Sequence, residues 1–229
     1  MTLDKDDLIG SILASLDRID NIKLEEIPDI DLYMDQLTTF MEERLQKATR
    51  YPGEDKVLTK TMINNYAKND LLPPPIRKKY SKDHIILLIF IFYFKNILTI
   101  NDIQTLIEPL KERFHISDEE LSLSEIYKSM FNLEGDQAQI LKDDITEKYN
   151  YAAHTFEDYD GDDKEKMQMF AFISQLGYDV YLKKLIIEKI LDNYRAEYDA
   201  KKAAELGRAK AEKEALMKQK KEKRRDTEN

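Results

Sequence analysis

Residues 58–81 read Leu-Thr-Lys-Thr-Met-Ile-Asn-Asn-Tyr-Ala-Lys-Asn-Asp-Leu-Leu-Pro-Pro-Pro-Ile-Arg-Lys-Lys-Tyr-Ser, and this stretch decides the predicted fold. Thr59 is a good N-cap because its hydroxyl can accept a hydrogen bond from the first helical turn. Leu58 can pack onto Ile63, at the fourth helical position, and fix the direction from which the chain enters. The sequence therefore predicts a helix that starts at Thr59 and runs to about Leu71.

Three consecutive prolines at 73–75 follow this helix. Proline excludes a helix and biases the residue before it towards extended backbone, so we expect an extended segment through Tyr80. No glycine lies between Pro75 and Tyr80 to form the tip of a hairpin. The extended segment would hold three basic side chains beside the predicted helix: Arg77, Lys78 and Lys79.

The predicted helix is polar on one side and apolar on the other. Met62, Ile63 and Tyr66 can face inward. The outward positions offer cations for phosphates and amides that can pair bidentately with adenine in the major groove of DNA. A solvated face with incidental lysines is the alternative interpretation. The candidate DNA-binding side chains on this helix are Lys60, Thr61, Asn64, Asn65 and Lys68.

The segment resembles the recognition helix and wing of MerR-type regulators. In that resemblance Thr59 is the cap, Tyr66 is the helix tyrosine, 71–74 is the Leu-Leu-Pro-Pro corner, and 78–81 ends the wing. With residues 95–107 as the following helix pair, the match extends over roughly 30–110, about a third of the chain. The pattern more closely resembles an uncharacterised bacterial family that carries this module. The resemblance implies a winged helix-turn-helix and DNA binding, without naming a target.

The rest of the chain predicts further helices. Ser81 caps an apolar helix over 82–97, and Thr99 with Asp102 forms a capping box for a helix over 100–107. We therefore expect a mostly α protein with a winged-helix, MerR-like centre and an all-helical C-terminal domain. The expected domains are an N-terminal helix and linker (1–29), the DNA-binding module (30–115), an acidic helical domain (116–198) and a charged, partly disordered tail (199–229).

The C-terminal half carries a long apolar pattern. A capping box at Ser117 and Glu120 opens it, and helical periodicity continues from Lys164 to about Leu191, with an interruption expected at Gly177. The pattern has more apolar positions than one neighbouring helix obviously covers, so we expect a homodimer; closure of the monomer's own core is the alternative. These positions are Phe170, Ile173, Tyr181, Leu185, Ile187, Leu191 and Tyr194, preceded by the stripe Leu141, Ile145, Tyr149, Ala152 and Phe156.

Charge is distributed unevenly along the chain. The net charge is −9, yet residues 56–84 sum to +5 and residues 208–225 to +6, which leaves −20 for the remainder. Charges act locally in physiological salt because the screening length is about 8 Å. An acidic protein with two basic islands remains compatible with double-stranded DNA as a partner.

Several other functions lack a signal in the sequence. The chain has no cysteine, and His84, His115 and His154 show no ligand spacing, so we expect no metal site and no cofactor. The acidic stretch 157–163 lacks glycine at the sixth position of a calcium loop. No glycine-rich phosphate loop is present, and we expect no enzyme activity.

The sequence also predicts where the protein works. Its apolar stretch 85–94 is too short to cross a bilayer, and the acidic start of the chain shows no secretory signal, so we expect no membrane association and a cytoplasmic location. The function predicted is a transcriptional regulator whose small-molecule or protein effector, and effector-binding residues, the sequence does not identify. The alternative is an adaptor that uses the same module to hold another protein.

Overall fold

The structure is a computed structural model that describes residues 5–16, 22–115, 121–131 and 134–227. It divides into two compact units, residues 1–184 and 185–229. The described residues are mostly helical, as predicted. They form α1 (Lys5–Leu16), β1 (Leu32–Tyr33), α2 (Met34–Leu45), α3 (Lys60–Lys68), β2 (Lys79–Tyr80), α4 (Lys82–Phe94), α5 (Ile100–Lys111), α6 (Leu123–Phe131), α7 (Glu134–Ala153) and α8 (Lys164–Thr227).

Helix α4 is the centre of the first unit. Every side chain from His84 to Phe92 is buried, which agrees with a helix that is apolar on all sides. It contacts α5, α6 and β2. Full burial of one large apolar side chain contributes about 1.5–3 kcal/mol, so this helix anchors the elements around it. Among the described residues, no helix combines the length and apolarity needed to cross a membrane.

The predicted start of α4 is confirmed, but its end is earlier than expected. Ser81 is the N-cap, and the helix ends at Phe94 rather than at residue 97. The capping box of α5 is also confirmed, because the Thr99 hydroxyl accepts from the Asp102 N–H at 3.3 Å. Helix α5 then continues to Lys111. The box predicted at Ser117 and Glu120 lies outside the described residues.

A small antiparallel sheet joins the start of α2 to the start of α4. Strand β1 pairs with β2, with Leu32 opposite Tyr80 and Tyr33 opposite Lys79. Leu32 and Tyr80 are both buried. The sheet therefore fixes the segment before α4 against the segment before α2.

The chain between the prolines and α4 turns back on itself, which corrects the predicted extended segment. Ile76 and Lys79 form an antiparallel bridge with N···O distances of 3.1 and 3.0 Å. The two residues between them, Arg77 and Lys78, have φ of 51° and 64°. Positive φ at both central positions is typical of the type I′ hairpin turn, and here the turn forms without glycine because β1 holds the returning strand.

The first unit has a second core where α1, α7 and α8 meet. Its buried residues are Ile9, Ala152 and Phe172, and the Phe172 ring lies 5.4 Å from that of Tyr149. In the predicted stripe, Leu141 and Phe156 are exposed, whereas Ile145, Tyr149 and Ala152 pack as expected. Gly177 does not interrupt α8, contrary to the expectation, since the helix continues through it.

His84 is a buried polar side chain at the start of α4. Its ring lies edge-on to those of Tyr80 and Phe114, with centroid distances of 5.3 and 4.7 Å. Its Nδ1 accepts a hydrogen bond from the Ser81 N–H at 3.0 Å, and its Nε2 has no partner in bonding geometry among the residues that the structure describes. Burial lowers the pKa of His84 and outweighs the Pro74 carbonyl, which favours the protonated form. The folded protein therefore holds His84 neutral.

This burial predicts a pH dependence of stability. Because the folded state has a pKa below the ordinary value of 6.5, the unfolded chain binds the proton more readily. Stability supplied by neutral His84 is complete above pH 6.5 and decreases as the pH falls below it, by at most about 1.4 kcal/mol per pH unit. We expect the His84→Gln variant to lose less stability at low pH, because it lacks the contribution of His84. Urea unfolding followed by circular dichroism at pH 7.5 and 5 measures it.

The matched control is His154→Gln, since His154 is exposed. This variant should lose as much stability between pH 7.5 and pH 5 as the unmodified protein does. Equal pH dependence in the unmodified protein and in His84→Gln would show that His84 is not the group responsible.

Candidate nucleic-acid interface

Helix α3 presents the two faces that the sequence predicted. Ile63 and Tyr66 are buried and Met62 is partly buried. The opposite face is open to solvent and carries cations, hydroxyl and amide groups on about two turns of helix. Its exposed side chains are Lys60, Thr61, Asn64, Asn65 and Lys68.

Both ends of α3 are fixed. At the start, the Thr59 hydroxyl accepts from the Met62 N–H at 3.2 Å, which confirms the predicted cap. The helix ends at Lys68, three residues earlier than expected, because Asp70 adopts a positive φ of 56° and turns the chain inward. Buried Leu71 then donates its N–H to the Tyr66 carbonyl at 2.8 Å.

A lysine from α5 holds the end of α3 in place. The Lys111 ammonium donates to the Asp70 carbonyl at 2.7 Å and to its carboxylate at 3.0 Å, and it also pairs with Glu108 at 2.8 Å. The Lys111 side chain is 11% exposed, so this contact is shielded from water. Helix α3 is thus positioned at one end by its own cap and at the other by α5.

The hairpin tip carries two basic residues in an unfavourable conformation. Arg77 and Lys78 are both exposed, and both have the left-handed backbone that asparagine and glycine adopt far more readily. Left-handed backbone costs roughly 1–2 kcal/mol for each residue with a side chain such as these. Strained residues often lie at functional sites, where the surrounding structure maintains them.

Lys79 differs from its two neighbours. It lies on β2 and is partly buried, with its ammonium 5.1 Å from the centre of the Tyr33 ring. This is cation–π distance, so Tyr33 orients the lysine. The sequence predicted the three basic residues as one group, whereas the structure places two at the tip and one on the strand.

Helix α3 and the hairpin both contact the junction where β1 runs directly into α2, so they lie at the same end of α2. Lys60, the first residue of α3, forms an ion pair with Asp35 in the first turn of α2. Tyr33, two residues earlier, contacts Lys79 of the hairpin. The start of α3 and the returning strand of the hairpin are therefore neighbours, as a shared binding surface requires.

Sequence analysis did not predict that two lysines beside this surface are paired with carboxylates. Lys82, inside the basic island 56–84, forms an ion pair with Asp29 at 2.6 Å, although 53 positions separate them. Asp35 holds Lys60 in the same way. Exposed pairs of this kind contribute about 0–1 kcal/mol, so a phosphate can compete for either lysine.

The described residues contain no group of three acidic or histidine side chains arranged to hold a metal ion. In the acidic stretch 157–163, the Tyr159 hydroxyl donates to the Asp163 carboxylate at 2.6 Å, and the Gly161 carbonyl accepts from Lys164 N–H at the start of α8. These contacts close the turn before α8.

Comparison with known proteins gives a match to a family model. Residues 22–130 match a family described as a domain of unknown function (DUF1836), somewhat less than half of the chain. The matched region extends from the segment before β1 into α6 and so includes α3, the hairpin and α4. No curated protein and no solved structure matches the chain.

Proposed function

We propose that this protein binds duplex DNA through α3 and the hairpin and acts as a sequence-specific transcriptional regulator in the cytoplasm. The observation that carries the proposal is the hairpin tip, where Arg77 and Lys78 are exposed and adopt left-handed backbone. The strand that follows the tip contacts Tyr33, two residues before the Asp35 that pairs with α3. A short helix followed by a basic hairpin supports assignment of the centre as a MerR-like winged helix.

The side chains divide by the chemistry that each can perform. Thr61, Asn64 and Asn65 can reach base edges, since the first residues of a recognition helix usually contact them. The cations can contact phosphates, which position the protein without reading sequence. These cations are Lys60, Lys68, Arg77, Lys78 and Lys79.

Selection of bound fragments from random duplex DNA tests the proposal. The purified full-length protein is expected to enrich related sequences, and a gel shift at low salt should confirm binding. Affinity should fall steeply as salt increases, because each phosphate contact releases counterions. Failure to retain any duplex at low salt would rule the proposal out.

A specificity prediction follows from the amides of α3. Asn64→Ala or Asn65→Ala should relax the base preference, at roughly 1–3 kcal/mol for a good bidentate contact. Both side chains are exposed, so the fold should tolerate the change. Asn69→Ala is the matched control, because the Asn69 amide folds back onto the Asn65 carbonyl at 2.9 Å. Repeating the selection with each variant gives the answer, and an unaltered preference in both α3 variants would exclude the amides from readout.

The adaptor alternative is favoured by the carboxylates that neutralise two of the lysines. Asp29 and Asp35 reduce the positive charge beside α3, which weakens the attraction for phosphates but does not hinder contact with a protein. An adaptor would bind its protein partner with little competition from duplex DNA. A regulator would bind duplex DNA with an affinity that falls as salt rises.

Dimerisation is the second part of the proposal. Within residues 164–184, α8 leaves six large apolar side chains at least 39% exposed. A second copy of the chain would cover them and supply a second DNA-binding surface. The six are Met167, Phe170, Ile173, Tyr178, Val180 and Tyr181.

A further inference from the structure

An open groove of about 420 Å³ lies on the outer face of α2. The face of α2 that carries Leu37, Met41 and Leu45 is buried in the core, so the groove occupies the side facing solvent. The other wall is the segment that leads into β1. The residues lining the groove are Pro28, Leu32, Asp35, Gln36, Thr39, Phe40 and Glu43.

The lining of the groove combines apolar and acidic side chains. Pro28, Leu32 and Phe40 are apolar, and Asp35 and Glu43 carry carboxylates. The segment forming the wall adds two exposed carboxylates and an isoleucine that is 70% exposed, namely Asp29, Asp31 and Ile30.

Basic groups cancel only part of this charge. Asp35 is paired with Lys60, and Asp29 is paired with Lys82. The exposed carboxylates of Asp31 and Glu43 add further negative charge to the same face. Carboxylates repel phosphates, so this face is unsuited to nucleic acid. Its charge complement is a cationic ligand with an apolar part.

We propose that this groove binds a short apolar peptide segment flanked by lysine or arginine, supplied by a partner protein. The apolar side chains would cover Phe40 and Pro28, and the cations would meet Asp35, Glu43 and the carboxylates of the wall. Such an interface is small, below about 1,200 Å², and belongs to the weak and transient class.

The groove is linked to the DNA-binding surface through two ion pairs. Asp35 of the groove holds Lys60 of α3, and Asp29 of the wall holds Lys82 of α4. A cationic peptide that takes these carboxylates releases both lysines for phosphates, so peptide and DNA bind with positive coupling. This coupling rests on the proposed function, whereas peptide binding by itself does not.

Peptide binding is tested on the full-length protein without DNA. The probe is a labelled octapeptide, Lys-Leu-Leu-Lys-Lys-Leu-Leu-Lys, capped at both ends. Fluorescence polarisation should show binding that is lost with glutamate in place of lysine, and equally with serine in place of leucine. Binding that follows charge alone, or no binding of the leucine peptide, overturns the proposal.

A charge reversal in the groove locates the site. Glu43→Lys should weaken binding of the peptide roughly fivefold to tenfold, because it replaces an attraction by a repulsion. Glu54→Lys is the matched control. Glu54 is exposed in the turn between α2 and α3, and the substitution makes the same change in net charge. Equal weakening by both variants, with circular dichroism unaltered, would place the peptide elsewhere.

The coupling is tested with selected duplex DNA and no peptide. Asp29→Asn with Asp35→Asn should raise DNA affinity several-fold, because both lysines lose their competing carboxylates. Asp31→Asn with Glu43→Gln is the control, since it removes two nearby carboxylates that hold neither lysine. An equal rise in both double variants contradicts coupling through the ion pairs. Absence of DNA binding in every protein overturns the proposed function but leaves the peptide result standing.

Discussion

Replacing Arg77 with asparagine and Lys78 with glycine is expected to weaken duplex binding roughly 10- to 100-fold, with no loss of stability. Each hairpin loses two cations that would meet phosphates, and an exposed ion pair contributes up to about 1 kcal/mol, so the two together account for about 30-fold in affinity. Asparagine and glycine are the preferred residues for this turn, so the backbone strain is relieved. The affinity for duplex DNA should therefore fall, whereas the free energy of unfolding should rise or stay the same.

Two measurements on the same protein check this prediction. Fluorescence polarisation with a selected duplex gives the affinity, and urea unfolding gives the stability. The control is Lys47→Asn with Arg50→Gly, which removes one lysine and one arginine from exposed positions between α2 and α3. If the hairpin variant keeps full affinity, or loses no more than the control, the tip does not contact DNA.

Replacing Phe170 and Ile173 with glutamate is expected to convert a dimer into a monomer and to weaken DNA binding by more than about 100-fold. Linking two binding surfaces can raise overall affinity by 10²–10⁴, and separation of the protomers forfeits that gain. The two side chains are 66% and 60% exposed, so they leave the core of α1, α7 and α8 intact. Burial of such groups against a second copy contributes about 1.5–3 kcal/mol for each.

Light scattering on the full-length chain at tens of micromolar measures the assembly. The control variant is Lys183→Glu, which makes the same change of two charges at an exposed position of α8. Helical spacing places Lys183 on the other side of α8 from Phe170, so this variant should remain dimeric. An unmodified protein that is monomeric at this concentration would show that α8 serves another partner or ligand.

Local signals in the sequence predicted the elements that depend on near neighbours. The caps at Thr59, Ser81 and Thr99 each act within three residues, and all three start helices in the structure. The buried helix α4 was equally evident, since a run of apolar side chains can only be stable when covered. The two faces of α3 followed from helical spacing alone.

Features that depend on distant contacts were not predictable in this way. The turn at Arg77 and Lys78 opposes local propensity, and it exists because β2 pairs with β1, far earlier in the chain. The pairing of Lys82 with Asp29 joins positions 53 apart. Gly177 weakens a helix locally, yet the turns on either side carry α8 through it. Sequence spacing contains no information on contacts between distant positions. The ion pairs that set the charge beside α3 could therefore not be predicted from the sequence.

Photo-cross-linking can identify the residues of this protein that touch DNA. The full-length protein is bound at low salt to a selected duplex that carries bromodeoxyuridine, irradiated, digested and analysed by mass spectrometry. We expect cross-linked peptides from residues 59–81, which contain α3 and the hairpin tip. Cross-links confined to the second basic island at 208–225, or none at all, would contradict it.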